Sequence, residues 1–118
     1  MKLAVIGGGS TYTPELIDGI IKRSARLPIT EIYLLDITTE RVSVIAAFAS
    51  RMLKAAGKDI SIQFGTNLDE AIKGADFVVS QFRVGTQKAR HKDELLGRKY
   101  GLIGQETVGV GGFAKALR

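Results

Sequence analysis

The sequence predicts a three-layer αβα fold of the Rossmann type: a doubly wound parallel sheet, truncated after its fourth strand. Three observations predict it. Short apolar runs alternate with stretches of helical periodicity from the second residue onward. The first run ends in Gly7-Gly8-Gly9. The second carries Asp36 at its carboxyl end, and a glycine turn and an acid at successive strand ends mark a dinucleotide-binding edge.

Each element has its own reason. Lys2–Ile6 is a short, mainly apolar run that stops at glycine, the pattern of a strand buried on both faces. Thr13-Pro14-Glu15 reads as a helix start, with a capping hydroxyl, a proline in the first turn and an acid near the positive end of the dipole. Leu16, Ile17, Ile20 and Ile21 then share one helical face, and Pro28 closes the segment. Ile32–Ile37 is the second strand. A longer helix from Thr39 to Ala56 keeps Val42, Ile45, Ala46, Ala49, Met52 and Leu53 on a helical period, and Gly57 stops it. Ile60, Ile62 and Phe64 alternate with polar residues, as in a half-exposed strand. Leu68–Lys73 makes a short helix capped by Gly74, and Phe77–Phe82 is the fourth strand. Ala89–Leu96 has a helical pattern, and Gly101–Gly112, with five glycines in twelve residues, reads as a flexible loop.

Buried strands alternating with helices imply right-handed crossovers and a parallel sheet in the order 3-2-1-4. The switch point then falls between strands 1 and 4, so ligands are expected at Gly7–Gly9 and Arg83–Gly85. A complete doubly wound sheet needs further strands. Residues 1–118 are therefore expected to be an amino-terminal part of a longer protein; the alternative, a self-sufficient minimal domain, would leave an open sheet edge beside strand 4.

Composition narrows the function classes. The 118 residues are 45% hydrophobic and 25% charged, an ordinary globular balance. Without cysteine there is no disulfide, thiolate metal site or thiol nucleophile in this chain. No apolar run approaches a membrane span and the first is too short for a secretory leader, so a soluble cytoplasmic protein is expected. In a chain of net charge +5, six basic residues, Lys88, Arg90, Lys92, Arg98, Lys99 and His91 when protonated, lie within twelve positions. That cluster suits either an anion-binding surface or a solvated helix face partly balanced by Asp93 and Glu94. Only Tyr100 is interleaved with it, which argues against nucleic acid. His91 is the single histidine and the carboxylates show no ligand spacing, so no metal site is expected within the chain itself.

The candidate site residues follow from chemistry. A pyrophosphate needs backbone N–H groups close to it, and glycines allow that approach at the start of a helix. The fingerprint Gly-x-Gly-x-x-Gly is incomplete, with Tyr12 at its third position. Asp36 is placed to accept hydrogen bonds from the adenosine ribose and to repel a 2′-phosphate, favouring NAD over NADP. It follows Gly9 by 27 residues, an interval lengthened by the intervening helix. Arg83 and Arg90, seven apart, could hold an anionic substrate. The Gly101–Gly112 stretch, with Gln105 and Glu106, reads as active-site lining. Each of these has a plain alternative: a simple strand-to-helix turn, a turn aspartate, a solvated helix, a capping loop.

Taken together, Gly7-Gly8-Gly9-Ser10-Thr11-Tyr12-Thr13-Pro14-Glu15-Leu16, Asp36, Gln81-Phe82-Arg83-Val84-Gly85 and Lys99-Tyr100-Gly101-Leu102-Ile103-Gly104-Gln105-Glu106-Thr107 resemble the family 4 glycoside hydrolases, with the nearest likeness to the 6-phospho-β-glucosidases. The resemblance implies a glycosidase outside the two-carboxylate scheme. In that family the sugar is oxidised at C3 by NAD, a tyrosine base takes the C2 proton, the leaving group is eliminated, water adds back and the hydride returns. A divalent metal, usually manganese, stabilises the enediolate. The implied cofactor-binding set is Ile6, Gly7, Gly8, Gly9, Ser10, Thr11, Asp36, Arg41 and Arg83. Arg90 matches the substrate-binding arginine, for a phosphorylated disaccharide or glucoside. Glu106 aligns with the acid that raises the basicity of the tyrosine, and that tyrosine and the metal ligands lie downstream of the matched residues. The resemblance also implies a homo-oligomer. One local departure is Leu96-Gly97-Arg98-Lys99-Tyr100-Gly101, where the family commonly reads Pro-Leu-Lys-Tyr-Gly.

Two other readings stay open on the residues alone. A dehydrogenase of the lactate or malate type would carry a similar arginine-bearing loop after its fourth strand, and a nucleotide-binding module would bind without turnover.

Overall fold

The structure, a computed structural model, describes residues 1–118. The chain forms two compact units, Met1–Phe82 and Arg83–Arg118.

In the first unit the elements are β1 (Lys2–Ile6), α1 (Thr13–Arg23), β2 (Glu31–Leu35), α2 (Thr39–Ala55), β3 (Ser61–Gly65), α3 (Leu68–Ile72) and β4 (Phe77–Ser80). The four strands make one parallel sheet in the order β3-β2-β1-β4, as the alternation predicts. Register aligns the carboxyl ends: Ile6 lies beside Leu35 on one side and Ser80 on the other. Whatever follows those residues therefore meets at one edge of the sheet.

Side-chain alternation divides the sheet into two faces. Leu3, Val5, Ile32 and Leu34 pack with Ile17 and Ile20 of α1 and with Val42, Ala46, Ala49 and Leu53 of α2. Tyr33 and Leu35 point the other way, toward Ala71 of α3. Helices thus cover both faces. Burying an Ile or Leu side chain stabilises the fold by roughly 1.5–3 kcal/mol, and Ile17, Ile32, Leu34 and Leu53 are all fully enclosed. β3 and β4 are the outer strands, and Phe64, Phe77 and Val78 remain exposed.

Several boundaries differ from the sequence expectation for local reasons. Thr13 does not cap α1. The cap position is Tyr12, without a side-chain bond, and the fully buried Thr13 hydroxyl donates to the Gly8 carbonyl at 2.9 Å. Residues after Arg23 leave the helix through turns, with Arg26 and Leu27 amides both on the Arg23 carbonyl, so α1 ends before Pro28. β4 stops at Ser80, after which only the Gln81 amide still reaches the Ile6 carbonyl.

The second unit is a helix pair, α4 (Thr86–Lys99) and α5 (Gly109–Ala116). α4 is longer than the Ala89–Leu96 pattern suggested. The glycine-rich stretch is not one flexible loop, because α5 begins inside it at Gly109. Gly111 is buried against α4, where an added Cβ would lie 2.9 Å from the Asp93 carbonyl oxygen. Its glycine permits helix packing and not mobility. Asp93 is also not part of a solvated face: it is 4% exposed, and both its carboxylate oxygens accept from Arg118, at 2.9 and 2.6 Å.

Candidate functional site

In the first unit the chain turns sharply as it leaves β1. The amides of Gly7 and Gly8 both donate to the Leu35 carbonyl, at 2.9 and 2.7 Å, which bends the chain over the end of β2. Gly7 holds φ +91°, a left-handed conformation that suits glycine. The next amide, of Gly9, donates to Asp36 Oδ2 at 2.8 Å. Asp36 Oδ1 accepts from the Ile37 amide at 2.7 Å, so backbone donors fix both carboxylate oxygens.

Gly9 is required for that closeness. A Cβ there would stand 3.0 Å from Asp36 Cγ and 3.3 Å from Arg41 Cβ. Asp36 and Arg41, one just past β2 and one in the first turn of α2, therefore both close on the glycine turn. Ile6, Gly7, Gly8, Gly9, Ser10, Thr11, Asp36 and Arg41 occupy a single sheet edge. In the turn the Ser10 amide donates to the Gly7 carbonyl and the Tyr12 amide to Ser10 Oγ, while the Thr11 amide has no intramolecular acceptor. Exposed Thr11 thus offers a free N–H just before α1, where the helix dipole also favours an anion.

In the second unit Arg83, Arg90 and Glu106 come together. Glu106 is paired with Arg83, with Arg90 Nη2 at 3.1 Å and with Lys115 Nζ at 3.6 Å. Arg90 Nε also donates to Glu94 Oε1 at 2.7 Å, one helical turn along α4. The Glu94 hydrogen bond first, and then the field of Glu106, raise the Arg90 pKa further above its already high value. Three cations facing two carboxylates leave a surplus of positive charge, and half-exposed Arg90 stands open to solvent. Arg83, expected among the cofactor-binding residues, shares its guanidinium between Glu106 and Gln87 Oε1.

Some contributors were not legible in the sequence. Gln81 and Thr13 brace the glycine turn, Lys115 completes the cluster at Glu106, and Arg118 ties Asp93 to the Val84 carbonyl. Gln81 stood within a recognised motif, but nothing in its spacing showed which way its amide would face. No three His, Cys, Asp or Glu side chains are grouped so as to hold a metal ion. No helix is long and apolar enough to cross a membrane.

A parallel sheet with this strand order, a glycine turn after its first strand and an acid after the second defines a protein of the Rossmann-like α/β fold. Comparison with known proteins identifies the lineage. The chain belongs to the family 4 glycosyl hydrolases, whose family model matches residues 2–118. It is 49% identical over its whole length to a probable 6-phospho-beta-glucosidase of Bacillus subtilis, covering 27% of that protein. It is 36% identical to a phospho-alpha-glucosidase of Clostridium acetobutylicum, with 99% of this chain and 26% of that protein aligned. Among solved structures, the 6-phospho-beta glucosidase of Thermotoga maritima with manganese, NAD+ and glucose-6-phosphate superposes with a TM-score of 0.91 at 43% identity, covering 99% of this chain and 28% of that one. The chain therefore spans about 27% of the length of such relatives.

Proposed function

We propose that the intact protein hydrolyses 6-phospho-glycosides, chiefly 6-phospho-β-glucosides, with NAD and a divalent metal, manganese, as cofactors. The observation that carries this is the Gly9–Asp36 pairing in a chain of this family, since it presents a carboxylate and a glycine turn together at the sheet edge. The β preference rests on identity: 49% to the relative named for β-linked substrates against 36% to the one named for α-linked substrates.

The residues present fit NAD. The glycine turn, the free Thr11 amide and the start of α1 would hold the pyrophosphate, with Ile6 and Ser10 lining the turn. Asp36 would accept from the ribose hydroxyls through the lone pairs its backbone donors leave free, and its charge disfavours a 2′-phosphate. Arg41 flanks the same edge, and Arg83 is assigned to cofactor binding by the family resemblance alone. When bound, NAD supplies a hydride acceptor that is regenerated in each turnover.

Arg90 would bind the anionic sugar phosphate, for which a planar guanidinium gives paired donors. Glu106 would act through a tyrosine outside these residues, raising its basicity for removal of the C2 proton. In this reading the metal's ligands lie outside these residues, as the family resemblance implies.

The test is release of nitrophenol from a nitrophenyl 6-phospho-β-glucoside by the intact enzyme with NAD and manganese. Release without net NADH accumulation supports the reading. Release from neither phospho-anomer overturns it, and steady NADH formation with a hydroxy acid would instead support a dehydrogenase.

A further inference from the structure

Beneath the glycine turn lies a hydrogen-bond chain that the reading above does not use. Gln81, just past β4, donates through Nε2 to Thr13 Oγ1 at 2.7 Å and to the Gly7 carbonyl at 3.2 Å. The Thr13 hydroxyl in turn donates to the Gly8 carbonyl at 2.9 Å. The Gly7 carbonyl can only accept, so the amide nitrogen of Gln81 must face this side. Thr13 is fully buried and Gln81 half-buried, and the Gln81 main-chain amide is itself bonded to the Ile6 carbonyl at 2.9 Å. The side chain is therefore fixed at its base as well as at its tip.

The consequence is electrostatic. A peptide plane at this turn has two ends, and a carbonyl swung toward the ligand would present negative charge to a pyrophosphate. Gln81 and Thr13 hold the carbonyls of Gly7 and Gly8 against the protein. The Leu35 carbonyl and Asp36 fix the amides of Gly7, Gly8 and Gly9. The Thr11 amide is the one N–H of the turn with no acceptor within the chain.

We infer that Gln81 and Thr13 are positioning residues for dinucleotide binding, acting as one hydrogen-bonded unit that withholds the Gly7 and Gly8 carbonyls from the phosphates. The inference rests on the NAD reading. Neither side chain need touch the cofactor.

The experiment is calorimetric NAD titration of the intact enzyme and of Thr13→Val, Thr13→Ser, Gln81→Met and the double variant Thr13→Val/Gln81→Met, with thermal unfolding in the absence of NAD read alongside. Thr13→Val keeps the shape and removes the hydroxyl, whereas Thr13→Ser keeps the hydroxyl. Thr13→Val and Gln81→Met should each raise the NAD dissociation constant about tenfold, Thr13→Ser should restore wild-type affinity, and the double variant should lose less than the product of the single losses. Wild-type affinity in both single variants overturns the inference while leaving the NAD reading intact. So do independent, multiplying losses, or losses that merely track a collapse in thermal stability. Failure of the wild-type enzyme to bind NAD at all removes the NAD reading itself.

Discussion

The amide of Gly9 donates to the Asp36 carboxylate across 2.8 Å, although the two are 27 residues apart in the chain. Parallel register makes this possible, because Ile6 and Leu35 are paired and the next residues of both strands emerge side by side. The pair joins the turn that would cradle phosphate to the acid that would read the ribose.

Removing the acid separates those roles. Asp36→Ala should weaken NAD binding by roughly 1–3 kcal/mol, the cost of losing hydrogen bonds to a charged acceptor. It should also narrow the preference for NAD over NADP, since the charge facing a 2′-phosphate is gone. Calorimetry with both dinucleotides measures the effect, and unchanged NAD affinity would refute the assigned role.

Gly9→Ala should be worse for binding than its size suggests. The new methyl would sit 3.0 Å from Asp36 Cγ, so the carboxylate must shift away from the turn. Overpacking of this kind costs roughly 1–3 kcal/mol. A fall in both melting temperature and NAD affinity is expected, while retention of both would show that the carboxylate can move freely.

Arg90→Lys tests the second unit. A lysine keeps the charge but cannot reproduce contacts to Glu94 and Glu106 with one planar group. We expect the KM for the phosphorylated substrate to rise about tenfold, as for loss of one charge-assisted hydrogen bond, with NAD affinity unchanged. A variant with wild-type KM would exclude Arg90 from substrate binding.

The buried Asp93–Arg118 pair predicts a pH dependence. The Arg118 hydrogen bonds hold the Asp93 carboxyl below its ordinary value of 3.8, against the opposing effect of its burial. Its folded-state pKa is depressed, so the pair's stabilisation is present above about pH 3.8 and is lost as pH falls through the folded value. Asp93→Asn should lower the melting temperature of the intact enzyme at neutral pH, and the gap from wild type should close on acidification below that range. A gap that persisted at low pH would mean that the ion pair is not its source.

Much of this was legible in the residues. Three glycines after an apolar run, an acid after the next run and strict strand–helix alternation are local signals, and they determined the parallel sheet, its order and the edge where Gly7–Thr11 and Asp36 meet. The motif around Gln105-Glu106-Thr107 is local and by itself carries the family resemblance. Local pattern reaches this far because strand burial and turn conformation depend on neighbours a few residues away.

Tertiary structure decided where the polar side chains went. Thr13 looked like a helix cap and became a buried link to Gly8, because Gln81 arrives from the end of β4, 68 residues later, to share its hydroxyl. Asp93 looked like one charge on a wet face and became a buried partner for Arg118, because α5 packs across α4. The glycines after Tyr100 looked like a flexible loop, and Gly111 proved to be a contact point between helices. A hydrogen bond depends on two groups meeting in space within a few tenths of an ångström, and sequence separation carries no record of that meeting. Gly9 and Asp36 could each be named from the chain alone, but only the folded sheet made them a pair.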